Sequence, residues 1–239
     1  MISNLSKTFI ISGNTNDQLK QNFNNALHLE ENKEYQLALV SFDMFYSVHN
    51  ITDKNNKFIY STDGGKNFKV INLVKGFYTL DKLYDEIIET LNFTNAPFTF
   101  KTKKSNVSIE IEIKDKNFQI DFNNKESFGK LLGFNHILNK GNGIYLSSSI
   151  NLYPLEQIYI ECNLIDSTYY NNELKQIIYN FYPNCLPGDK IIEKPNNLIY
   201  HSVIKKSIHN IEIKLVDQHF KEIDFNNETV NICLHLRSI

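Results

Sequence analysis

Along the C-terminal third of the chain, apolar and polar residues alternate in the period-two rhythm of strands buried on one face. In the last segment Val230, Ile232, Leu234 and Leu236 fall on one side, and Asn231, Cys233, His235 and Arg237 on the other. Ile158, Ile160, Cys162 and Leu164 repeat the pattern against Tyr159, Glu161 and Asn163, as do Ile211, Ile213 and Leu215 against Glu212 and Lys214. Strands are predicted near 157–164, 175–182, 199–205, 208–216 and 229–237. Tyr35 to Tyr46 (YQLALVSFDMFY) is apolar on both faces, as a strand covered on each side would be.

Phe58 to Ser61 and Phe68 to Leu73 flank Asp63-Gly64-Gly65-Lys66, which predicts a hairpin with a tight turn, because Asp-Gly supplies the positive φ angles such a turn needs. At Leu80 the period changes. Leu80, Leu83, Tyr84, Ile87, Ile88 and Leu91 form one helical stripe, with Thr79 as N-cap and Asn95 and Pro97 as the stop. Strands resume at Phe98 to Lys103, Val107 to Ile113 and Phe118 to Phe122, and a short helix is expected over Phe128 to Leu132 behind Ser127. Gly141 to Ser149 is a Gly- and Ser-rich loop and the expected internal joint. The polar stretch from Ser12 to Asn25 reads as part of a partly ordered lead-in. The expected organisation is an N-terminal arm, 1–22, and one domain, 23–239.

A chain of 239 residues is long enough to bury a core without staples. Its cysteines, Cys162, Cys185 and Cys233, have no C-x-x-C spacing, so neither a disulfide framework nor a structural zinc site is expected, and a reducing compartment is the natural setting. Chelators and reductants should leave stability unchanged. A net charge of −2 argues against phosphate neutralisation, and no direct nucleic-acid binding is expected. Lys101, Lys103 and Lys104 read as a solvated strand end. No long apolar run suggests a membrane span or a classical export signal, so the sequons at Asn50, Asn92 and Asn227 read as unmodified.

Candidate chemistry is thin. Gly64-Gly65-Lys66 lacks the earlier glycine and following Ser or Thr of a phosphate loop; Tyr60 and Asn67 stand there. Ser147-Ser148-Ser149 lacks the flanking glycines of a nucleophile elbow. Cys233 and His235 share a strand face, which offers two metal ligands without a third. Glu110 and Glu112 lie on one side of a strand, as ordinary solvated carboxylates do. Tyr169-Tyr170 and Tyr179 to Tyr182 suit core packing or a protein contact better than a stacking platform. No catalytic residue, cofactor site or metal site is assigned.

Three segments resemble a known family. Residues 23–51 (FNNALHLEENKEYQLALVSFDMFYSVHNI), with Tyr46, Ser47, Asn50 and Ile51 at the end, resemble the opening of the minor capsid, or penton, proteins of Polinton (Maverick) elements and related virophage- and adintovirus-like genomes. The segment KGFYTLDKLYDEIIETLN resembles that family's Pro-x-Gly-x-Tyr approach to a similar helix, with Val74 and Lys75 in place of the proline turn. The third runs from Pro187-Gly188 through Glu193 to Tyr200, Asp217-Gln218 and Ile223-Asp224-Phe225 to the final Leu-His-Leu strand.

The resemblance implies an all-β fold, a single jelly-roll sandwich of two antiparallel four-stranded sheets with one or two short helical insertions. It also implies a structural virion protein that forms homopentamers at capsid vertices and contacts a double jelly-roll major capsid protein, made in the host cytosol or nucleus. Genome contact by the arm is not expected, since Ile2 to Gln21 carries only Lys7 and Lys20 against Asp17. The alternative from another class is a carbohydrate-binding jelly roll. A jelly roll also predicts that Leu37, Leu39 and Phe42 share one inter-sheet core with Ile232 and Leu234, through adjacent first and last strands.

Overall fold

A computed structural model describes residues 5–103, 108–139, 142–147, 149–153 and 155–239. Ile2, Lys104, Val107, Gly141 and Ser148, which entered the sequence reading, lie outside the described residues. The chain divides into two compact units: Met1–Val48 with Leu155–Ile239, and His49–Pro154 between them.

The first unit is built on eight strands: β1 Ser6–Gly13, β2 Lys20–His28, β3 Tyr35–Phe45, β4 Ile158–Cys162, β5 Ile177–Phe181, β6 Lys190–Glu193, β7 Ser207–Val216 and β8 Val230–Ser238. One sheet has the order β1-β8-β3-β6 and the other β5-β4-β7-β2, and every pairing is antiparallel. Successive strand pairs are thus shared between two sheets, which is the jelly-roll path. The short strand His201–Ser202 also pairs β3.

The alternation in the sequence explains this packing directly. Ile232, Leu234 and Leu236 of β8 meet Leu37, Leu39, Phe42 and Met44 of β3 and, from the second sheet, Ile160, Ile211, Ile213 and Leu215 in one buried core. Phe42 reaches across to Phe181 of β5, with ring centroids 5.0 Å apart. Each such fully buried side chain contributes about 1.5–3 kcal/mol of transfer free energy. The expected grouping of Leu37, Leu39, Phe42, Ile232 and Leu234 is found, but β3 is not the first strand.

The first strand lies inside the segment read as an arm. Ser6–Gly13 pairs with β8 along its whole length, from Ser6 opposite Arg237 to Gly13 opposite Val230. β1 buries one face: Ile11 enters the core and Phe9 packs against it, while Ser6, Thr8, Ile10 and Ser12 stay exposed, and the outward isoleucine masks the alternation. The expected strand at 199–205 shrinks to His201–Ser202 against β3, because the chain then turns its bonds elsewhere: Val203 bridges Ile165 and Ile204 N–H donates to Leu164 O.

The second unit has its own core. Lys57–Ser61 pairs with Lys69–Asn72 and with Gln119–Asp121, which pairs Ile137–Leu138; Ser108–Ile113 pairs with Phe98–Lys103 and with Gly143–Leu146. The expected joint at 141–149 therefore contains a strand, and the unit boundaries fall after Val48 and before Leu155. Both helices belong to this unit: α1 Leu80–Leu91 and α2 Gly129–Leu132. Phe98 and Phe118 stack at 5.2 Å among buried Phe58, Phe122, Phe128 and Phe134, which accounts for the aromatic richness of this stretch. Thr79 caps α1 by accepting from Lys82 N–H, but the helix stops at Asn92 in the left-handed conformation, before Asn95. Buried Asn50 ties the ends of the unit, donating to the carbonyls of Tyr78 (2.8 Å) and Leu152 (2.9 Å) and accepting from Tyr78 N–H. A fully bonded, buried amide is closed to glycan attachment.

Candidate interaction surface

The residues that could have carried chemistry are consumed by structure. Around Gly64 and Gly65, both at positive φ, the connection is longer than a two-residue turn and is organised by Asp63. Its carboxylate accepts from Lys66 N–H (3.0 Å), Asn67 N–H (3.0 Å), Asn67 Nδ2 (2.7 Å) and Ser61 Oγ (2.7 Å). The Asn67 backbone bond is the main cause of an Asp63 pKa held far below the usual carboxylate range. The amides that would cradle a phosphate already hold an internal anion.

Glu110 and Glu112 are each paired across the strand, to Lys103 (2.9 Å) and Lys101 (3.7 Å). They form an ion-pair ladder, not a paired-acid site, and they absorb two of the three clustered lysines. Ser147 is buried and its Oγ accepts from Ile109 N–H at 2.7 Å, a strand anchor.

Cys233 and His235 sit on the outer face of the β1-β8-β3-β6 sheet. Both imidazole nitrogens are engaged, Nε2 with Ser6 Oγ and Nδ1 with Tyr200 Oη, each at 2.8 Å, so neither is offered to a metal. Arg237, the only arginine, lies 3.5 Å from the centre of the Tyr200 ring and donates to Gln36 Oε1 at 2.9 Å. This stitch links β1, β3, β8 and the segment leading to His201. Among the described residues no group of three or more His, Cys, Asp or Glu is placed to hold a metal ion. The three cysteines are free, and burial pushes the Cys162 thiol up to about 11.

The tyrosines divide between core and surface. Tyr170 joins Tyr159 and Phe220 in a small aromatic cluster, with Tyr170 and Phe220 4.7 Å apart, and burial pushes Tyr159 up to about 12. Tyr179 donates to Glu193 Oε1 at 2.9 Å. Tyr169 and Tyr182 are exposed and do not form a platform with the others.

What remains unsatisfied is apolar surface. On the first unit Ile10, Phe45, Tyr182, Leu186, Ile192, Leu198, Ile199 and Ile204 are exposed, and most of them lie between β5 and β7. Exposed apolar residues occur on any protein surface; here six of the eight fall in the chain between β5 and β7. Of these, sequence reasoning offered only Tyr182, within Tyr179 to Tyr182, for core packing or a protein contact; the outward aliphatic residues carry no local mark until the sheet edge is known. Among the described residues, no helix is long and apolar enough to cross a membrane.

No family model and no curated protein matches this sequence. Among solved structures, the chain is similar to the mavirus penton protein, known from a crystal structure of its selenomethionine form. The identity is 10%, the TM-score 0.50, and the match covers 98% of this chain and 100% of the other. The shared feature at that identity is the fold, and it extends over both units.

Proposed function

We propose that this chain is a penton-type minor capsid protein of the virophage and Polinton kind, a structural component of a virion with no catalytic role. It forms homopentamers at the fivefold vertices of an icosahedral shell and contacts a double jelly-roll major capsid protein. The observation that carries the reading is the end-to-end fold likeness to a penton protein, insertion included. The engagement of Asp63, Glu110, Glu112 and His235 in structural bonds supports it, as do the exposed apolar residues of the jelly-roll unit.

Co-expression with the major capsid protein of the same genome tests the assignment. Shells should carry density for this chain at the vertices, and shells made without it should have empty vertices. Intact, fully occupied vertices in its absence would refute the role.

A further inference from the structure

We propose that the open edge of β1 receives β6 of a second copy, so that main-chain pairing joins one subunit's sheet to the next. The proposal rests on the ring reading above and names the surface that would hold it.

β1 and β6 are the two ends of the same sheet, and among the described residues no strand pairs their outer sides. The ladders fix which groups are left over. Ser238 N–H donates to Leu5 O, and antiparallel pairs repeat every second residue, so Lys7, Phe9 and Ile11 bond toward β8. Ser6, Thr8, Ile10 and Ser12 therefore aim their N–H and C=O groups outward. At the other end Tyr46 N–H donates to Asp189 O, so Ile191 bonds toward β3 while Lys190 and Ile192 aim outward.

Natural edges are guarded by brevity, proline or lysine. β6 has 4 residues and sits between Pro187 and Pro195. β1 has 8 residues, no proline, and a single lysine near its start, so it is the unguarded edge. Ile11 and Ile191 point into the core, which puts Ile10 and Ile192 on the outer face of the same sheet, 71% and 53% exposed.

The directions agree as well. Three successive antiparallel pairings, β1 to β8, β8 to β3 and β3 to β6, make β1 antiparallel to β6. The proposed ring has its axis along the strands; rotation about such an axis leaves directions and faces unchanged, so β1 of one copy meets β6 of the next antiparallel. Ile10 and Ile192 then oppose each other as a cross-strand pair on one face, each covering the other. The exposed Tyr182 and Leu186, in the connection leading to β6, extend the contact.

The test is a cysteine pair, Ile10→Cys with Ile192→Cys, in a Cys185→Ser, Cys233→Ser background; Cys233 must go because it lies directly opposite Ile10. Within one chain the two positions are three strand spacings apart, about 14 Å, beyond the roughly 7 Å limit of a disulfide. Only copies of the chain can be joined. Mild oxidation should yield a covalent ladder ending at five. Thr8→Pro removes an outward N–H and spares the ladder to β8, so it should lower ring formation at least about tenfold with an unchanged circular dichroism spectrum. Wild-type rings that persist in Thr8→Pro, together with an uncrosslinked cysteine pair, would overturn the edge pairing and leave the ring standing. Should Thr8→Pro fail to fold, the crosslink alone decides. A wild-type chain that never forms rings would overturn both.

Discussion

Phe42 and Ile232 are direct cross-strand partners, and the Phe42 ring also spans the two sheets to Phe181. Truncating Phe42 to alanine removes that bridge and leaves a cavity that a packed sandwich cannot close. The expected cost is about 3–5 kcal/mol, read from urea unfolding; a change under about 1 kcal/mol would mean the sheets do not pack as described. His201 carries a different prediction. Burial lowers its pKa below the ordinary 6.5, against the opposing pull of a bond to the Ile178 backbone. The folded state thus binds fewer protons than the unfolded chain, and the stability involved is complete above pH 6.5 and falls as pH drops from there toward the folded value. His201→Gln should flatten the melting temperature between about pH 7.5 and 5 relative to wild type. An identical acid slope in the variant would show that His201 does not titrate this way. At this scale the sequence was informative about cores: alternation picks out Ile232 and Ile213, whereas nothing local marks Asp63 as an internal anion or His235 as doubly bonded.

The elements were legible wherever their pattern repeats. α1 has a full stripe and a capping Thr79, and it begins at the predicted residue. Thr79→Ala removes the bond from Lys82 N–H and should cost about 1 kcal/mol, measurable by thermal unfolding, with Thr79→Ser close to wild type. Equal stability of the alanine variant would show that the cap contributes nothing. The end of α1 was harder to read, because Asn92 stops it through a left-handed backbone state that an asparagine in an Asn-rich chain does not advertise. β1 escaped because one of its outward positions is Ile10: Phe9 to Ile11 is then an unbroken apolar run ahead of the polar stretch that starts at Ser12, and the alternation that marks β8 is lost. The hairpin at Thr168–Tyr170 and Glu173–Lys175 was likewise hidden, since its turn uses Asn171 and Asn172 at positive φ where glycine would have been the signal.

At the level of the whole molecule, the alternation pointed to a double-layered sheet, the family resemblance implied the jelly-roll path, and neither pointed to the two compact units. The strands of the first unit come from two stretches separated by more than a hundred residues, and the intervening unit is also largely strand, so composition does not change at the boundary. Neither stretch alone would supply both sheets: β1, β2 and β3 need β8 and β7 as partners. Such non-local pairing is the reason a linear reading gives elements before topology. The functional account depends on this scale as well. Asp63, Glu110, Glu112 and His235 are engaged in structural bonds at the surface, and the ends of one sheet are unpaired among the described residues. The most direct test is the mass of the purified chain in solution, raised stepwise in concentration, with averaged particle images of the largest species. The account predicts a closed species of five copies with fivefold symmetry. A chain that stays monomeric at every concentration, alone and with its major capsid partner, would contradict it.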